Sequence, residues 1–302
     1  MIDLQVNGYA GVDFNGDDLT GDALHRACDR LAGDGVDAIL ATVITDDLDA
    51  MCARLARLAA LRAADPLAAR LIAGVHIEGP FLNEQPGFRG AHPLDAIQPA
   101  SAAAMTMLLD AAAGLTRLVT LAPERDPGFV VTRLLAFRGI VVSAGHTDAS
   151  LAQLKDAADA GLSMCTHVGN GCPMQLPRHD NIIQRMLAMS DRLWLSFIAD
   201  GVHVPFFALR NFFRAAGLDR CIVVSDAMPA AGLGPGRYSF GRWNLDVGED
   251  LAAWAPDRSH LVGSAVTMKR SAENLAASVG LSTAEVARVT SANPRTLLGL
   301  GV

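Results

Sequence analysis

Residues 139–170 read GIVVSAGHTDASLAQLKDAADAGLSMCTHVGN. GIVVSAGH is a short β-rich apolar run, SLAQLKDAADAG alternates apolar and polar residues with the period of an amphipathic helix, and SMCTHV is a second buried-strand run. Strand, helix and strand in that order imply a parallel pair, whose strands are covered on both faces and so lack the in–out alternation of a half-exposed sheet.

Working outward, six more runs of the same kind appear: IDLQVN (2–7), DAILATVIT (37–45), LIAGVHIE (71–78), TRLVTLAP (116–123), LWLSFIAD (193–200) and CIVVSDA (221–227). Alanine- and leucine-rich helical stretches lie between most of them, among them LDAMCARLARLAALRAA and PFFALRNFFRAAG. Eight strands alternating with helices predict an α/β fold of the (β/α)8 type, a TIM barrel. A doubly wound sheet is the competitor, but NGYAGVDFNG after the first run is no GxGxxG turn. The Gly- and Pro-rich segment 232–263 reads as a hairpin excursion, followed by helical segments at about 266–279 and 282–289. With no repeat and no linker, one domain over 1–302 is expected.

A formal net charge of −7 leaves no basic surface of the kind nucleic acid requires. No run of about 18 apolar residues offers a membrane span. The five cysteines, Cys28, Cys52, Cys165, Cys172 and Cys221, are scattered and form no CxxC pair, which argues for reduced thiols and a cytoplasmic protein.

The chemistry-bearing residues collect at the strand ends, where a parallel barrel carries its active site. Glu78 ends the third run, His146 the fifth, His167 the sixth, Asp200 the seventh and Asp226 the eighth, with Gln5 and Asn7 at the end of the first. Burying an unpaired acid or imidazole is costly, so five on one rim suggest convergent ligands. A carboxylate with two imidazoles suits zinc or another divalent ion with a position left for water. Singly, each has a bland reading: His146 or Asp226 as a cap, His167 as a satisfied core histidine, Glu78 as a loop anchor.

Together the segments IDLQVNGYAGVDFN, GVHIEGPFLN, GAH, VTLAPE, SAGHTDAS, THVGNGCPM, IADGVHV, VVSDAMPAAG and LVGSAVTM resemble the N-acetylglucosamine-6-phosphate deacetylase family of the amidohydrolase superfamily, across nearly the whole chain. The resemblance implies Glu78, His146 and His167 as metal ligands and Asp226 as catalytic acid and base. It implies substrate contacts at Ala91, His92, Asn170, Gly171 and His203, at Arg178 toward a phosphate, and at the late loop Leu261–Val262–Gly263. Gln5-Val6-Asn7 stands where many amidohydrolases carry HxH, which implies one metal ion, Zn2+ first, with Fe2+, Mn2+ or Co2+ as alternatives. The substrate implied is an N-acetylated amino-sugar phosphate, and the assembly a homodimer. Two departures stand out. The small β-sandwich that the family builds from its two ends is expected to be absent, and the family's REPG-like setting for the phosphate arginine reads Pro177-Arg178-His179-Asp180. Deacetylation of another N-acylated sugar, hydrolysis of a cyclic amide, and a non-catalytic sugar-binding barrel are the alternatives.

Overall fold

The computed structural model describes residues 1–258 and 260–300; Ser259, within the expected excursion, and residues 301–302, the end of the expected domain, lie outside the described residues. Eight parallel strands follow one another in chain order: β1 (Ile2–Val6), β2 (Ala38–Ile44), β3 (Ile72–Glu78), β4 (Thr116–Leu121), β5 (Val141–Ala144), β6 (Leu162–Cys165), β7 (Trp194–Ile198) and β8 (Cys221–Val224). Seven fall inside the runs read from the sequence and β6 begins one residue ahead of its run, at Leu162; the sheet is a nearly closed barrel. At the seam between β1 and β8 a single bridge, Val6 to Ala227, replaces a ladder. The buried Asp3 carboxylate spans the rest of this seam, accepting from the N–H of Ser225 at 3.1 Å and from its hydroxyl. A side chain thus completes the hydrogen bonding that two backbones do not.

Alternation along the strands divides the core. In β3, Val75 and Ile77 pack outward among the helices, while His76 and Glu78 alternate to the other face, inside the barrel. The barrel floor is apolar, built from Ile2, Leu4, Leu40, Leu118, Met164 and Ile222. Among the helices that cover the barrel, the one inside 139–170 spans Leu151–Ala160. Its Ser150 and Gln153 form a reciprocal capping box, and Gly161 ends it in the left-handed region.

Past β8, residues 236–254 form a three-stranded antiparallel sheet, β9 (Gly236–Phe240), β10 (Trp243–Val247) and β11 (Ala253–Trp254). Phe240, Leu245 and Val247 pack on Ile44, Met228 and Val262. The sheet is fastened to the barrel mouth by Arg242, which donates from Nε to Asp46 at 3.1 Å and bridges Asp95 at 2.9 Å, and by Trp243 Nε1, which donates to the Ala91 carbonyl at 3.0 Å. Helices at Met268–Asn274 and Thr283–Ala287 begin within the two expected segments, and a further one, Asn293–Leu298, follows where the sequence offers no distinct helical signal. Among the described residues no helix is long and apolar enough to cross a membrane.

Candidate active site

Parallel register decides which strand-end residues stand level. Ala144 pairs with Cys165, and His146 and His167 each lie two residues further on. Ile198 pairs with Val224, and Asp200 and Asp226 each lie two residues further on. Glu78, the last residue of β3, pairs with Ile44 and Thr120. His146, His167 and Asp226 all adopt left-handed backbone, with φ of 51°, 33° and 51°. That region costs an L-residue about 1–2 kcal/mol, and three such residues on one rim mark a site where geometry is held against local preference.

The turns bring three donor atoms together. His167 Nε2 lies 3.2 Å from Glu78 Oε1 and 3.2 Å from His146 Nε2, and the third side of the triangle, His146 Nε2 to Glu78 Oε1, is 3.4 Å. Tetrahedral ligands at zinc distances stand about 3.4 Å apart, so the donor set fits a single divalent ion. His146 Nδ1 donates to the Phe88 carbonyl at 2.8 Å, which leaves its Nε2 lone pair facing the triangle. Its ring is flanked by Gly90 and Gly171, both at positive φ, where an added Cβ would come within 3.1 Å and 3.0 Å of the imidazole. Burial alone would raise the Glu78 carboxyl; the two imidazoles hold it well below its ordinary value.

His92 stands beside this triangle, its Nε2 3.3 Å from that of His146. Glu78, His92 and His146 form a second metal-capable group, with donor atoms within 4.8 Å of one another. The tighter set is the one with His167, where all three sides are 3.2–3.4 Å. Burial, then the neighbouring His146, pushes His92 down to about 3, so the ring is neutral.

Two amides occupy the HxH positions, and both face carboxylates. Gln5 Nε2 donates to both Glu78 oxygens at 3.2 Å, and Asn7 Nδ2 donates to Asp226 Oδ1 at 2.8 Å. Asp226 is half-buried at the cavity wall, and desolvation together with the charge of Glu78 pushes its carboxyl up to about 6 against the pull of His167 and His203. His203 is held by Asp200, whose Oδ2 pairs with its Nδ1 at 2.6 Å; Asp200 also accepts the N–H groups of Val202 and His203. Desolvation would raise Asp200, yet the His203 ring and these N–H groups keep it below its ordinary value.

Beneath the triangle lies a hydroxyl and imidazole layer that sequence reading missed. His76 bridges Thr42 (3.3 Å) and Thr120 (2.8 Å), and Thr166 bonds Thr120 (2.7 Å) and Ser143 (2.6 Å). Its members come from separate strands or strand ends, several of them one to three positions before a member of the triangle, so no local motif announces them. Glu124, in VTLAPE, fixes the turn after His146 by accepting from Asp148 N at 2.7 Å and from the Thr147 hydroxyl, while taking Asn83 Nδ2 at 2.8 Å.

A cavity of about 500 Å³ opens over this centre. Glu78, Ala91, His92, His146, His167, Asn170, Gly171, His203, Asp226, Leu261 and Gly263 line it, as do Asn7 and Arg258. Two expected contacts are not brought in. Val262 is fully buried in the cluster beneath the antiparallel sheet, because Leu261 and Gly263 on either side take the cavity-facing positions. Arg178 is exposed and outside the lining, at the far end of a loop that leaves the cavity near Met174.

A barrel with one carboxylate, two imidazoles and a further half-buried carboxyl at its strand ends has the donor set of a metal-dependent amidohydrolase. No family model matches the chain. It is, however, 34% identical over 303 residues to the N-acetylglucosamine-6-phosphate deacetylase of Bacillus subtilis (strain 168), covering 99% of this chain and 74% of that one. It is also 29% identical to the N-acetylgalactosamine-6-phosphate deacetylase of Escherichia coli O157:H7 over 99% of this chain and 77% of the relative. A solved point mutant of N-acetyl-D-glucosamine-6-phosphate deacetylase from Mycobacterium smegmatis, in complex with N-acetyl-D-glucosamine-6-phosphate, superposes with a TM-score of 0.88 at 28% identity, over 99% of this chain and 77% of that one. The chain belongs to the N-acetylglucosamine-6-phosphate deacetylase family.

Proposed function

We propose that this protein hydrolyses the acetamide of N-acetylglucosamine 6-phosphate, releasing acetate and the amino-sugar phosphate, with one divalent ion, Zn2+ first, held by Glu78, His146 and His167. The observation that carries this reading is the triangle of 3.2–3.4 Å between the three donor atoms, beside the half-buried Asp226, at the floor of a sugar-sized cavity. When bound, the ion supplies Lewis acidity, which polarises the amide carbonyl and lowers the pKa of water.

The remaining chemistry falls to side chains of the chain. Asp226, with its carboxyl up at about 6, is deprotonated near neutral pH and still basic enough to take a proton from the attacking water. A C–O bond forms to the acetyl carbon, the C–N bond breaks, and Asp226 returns that proton to the departing nitrogen. Asn7 holds Oδ1 of Asp226 and Gln5 holds Glu78, so each carboxylate is fixed in its own role. His92, neutral and buried against the acetyl end, and the segments Gly90–Ala91 and Asn170–Gly171 shape the pocket around the substrate. His203, aimed by Asp200, lies among the substrate contacts. Arg178, exposed and outside the cavity lining, serves a phosphate from a second copy of the chain, in the homodimer expected from the sequence. Five free cysteines support a reducing, cytoplasmic setting.

Acetate release from N-acetylglucosamine 6-phosphate, compared with its galacto epimer and with the unphosphorylated sugars, tests the reading. The highest kcat/KM is expected on the phosphorylated gluco sugar; equal turnover of all four would favour a broader N-acylated sugar amidohydrolase.

A further inference from the structure

We propose that Arg258, on the antiparallel excursion, is this chain's own cation for the phosphate of the substrate. The proposal rests on the amino-sugar phosphate reading above and names the residue that enforces it.

Among the described residues, Arg258 is the sole Arg or Lys that lines the cavity. It sits on a tight return beyond β11: Ala255 N donates to His260 O at 2.9 Å, Arg258 N donates to Ala255 O at 2.8 Å, and Val262 N donates back to Ala253 O at 2.8 Å. Trp254 bridges Leu261 at the base of this return. The tip is exposed, and its backbone is left-handed at φ 56°, a conformation that favours glycine or asparagine over arginine. Among the described residues no carboxylate pairs with the guanidinium, although arginines such as Arg54, Arg185, Arg242 and Arg288 are each committed to acids. An arginine without an acid, at a strained tip over a cavity in a protein of net charge −7, has the properties of an anion contact rather than of a structural ion pair.

Substrate shape puts the phosphate at the same end. The amide at C2 and the phosphate at C6 stand on opposite sides of a hexosamine ring. With the acetyl group at the buried floor of Glu78, His92 and His146, the phosphate is carried to the mouth, where Arg258 is exposed. A guanidinium offers a phosphate two parallel N–H donors.

The test is steady-state kinetics of wild type, Arg258→Gly, Arg258→Ala and Arg258→Lys on N-acetylglucosamine 6-phosphate and on N-acetylglucosamine, with thermal melting of each variant. Glycine suits the left-handed backbone and guards against a folding defect from alanine. Both neutral variants are expected to raise KM for the phosphorylated sugar on the order of ten- to a hundredfold, with little change in kcat and little change on the unphosphorylated sugar; lysine recovers part of the loss. If wild type prefers the phosphorylated sugar and both neutral variants keep that preference, or lose equally on both sugars, the proposal is overturned and the substrate reading stands. If wild type has no preference for phosphate, the substrate reading falls and this assignment with it.

Discussion

Gln5 Nε2 lies 3.2 Å from each carboxylate oxygen of Glu78, so the first barrel strand grips the carboxylate of the donor triangle with an amide instead of adding an imidazole of its own. Asn7, two residues on, treats Asp226 in the same way. Both amides donate hydrogen to a carboxylate, and an amide so engaged is a poor ligand for a second zinc.

One tightly bound metal ion per chain is therefore expected by elemental analysis. Gln5→Ala should keep the stoichiometry but weaken the hold, by about 10–100-fold in affinity measured against a competing chelator. Two ions per chain in the wild type would overturn the bracing role.

Asp226→Asn keeps the shape and the Asn7 neighbour but cannot carry a proton. The loss in kcat should be on the order of 10²–10⁴, with metal content unchanged. A variant that stays within a few fold of wild type removes Asp226 from proton transfer; one that loses its metal makes Asp226 a ligand.

The pH dependence has a definite sign. Asp226 works deprotonated, so kcat/KM should fall as pH drops through about 6, or somewhat lower once a metal ion adds its positive charge nearby. The Asn7 hydrogen bond lowers this pKa, so Asn7→Ala should move the acid limb to higher pH. A limb that does not move assigns it to another group.

Most of the barrel is legible in the sequence because buried parallel strands leave continuous β-rich runs; seven of the eight strands fall within them and β6 starts one residue early, at Leu162. The strand ends are legible too, since an ionisable residue closing such a run is conspicuous. What adjacency in sequence cannot convey is the second layer. The His76–Thr120–Thr166–Ser143 chain joins separate strands through side chains that look like ordinary core threonines and serines. The family resemblance singles out Arg178, but a matching position along a loop fixes neither its direction nor its burial. Arg258 lies in a segment with no motif, and its approach to the cavity comes from the pairing of β11 with Leu261 and Val262. Gln5 and Asn7 are conspicuous for what they are not, while their acceptors, Glu78 and Asp226, are far away in sequence.

Asp3 offers a check on the barrel seam. Its burial pushes the carboxyl up to about 7, against hydrogen bonds from Ser225 and Gln5 that pull it down. The folded state thus holds this proton more tightly than the unfolded chain, and its contribution to stability, full below about 4, is lost as pH rises through about 7. Asp3→Asn retains an acceptor for the N–H groups and carries no charge. Its melting temperature relative to wild type should rise between pH 4 and pH 7, by a few degrees, and level off above. A difference independent of pH would mean that Asp3 is not protonated in the folded protein.

The central claim, metal-dependent deacetylation at the Glu78–His146–His167 triangle, is tested most directly by stripping the purified protein with a chelator and titrating Zn2+ back while measuring acetate released from N-acetylglucosamine 6-phosphate. Activity should vanish on stripping and return in proportion to added zinc, saturating at one equivalent per chain, with His167→Ala failing to recover. Undiminished acetate release from metal-free protein, or no release at any zinc loading, would contradict it.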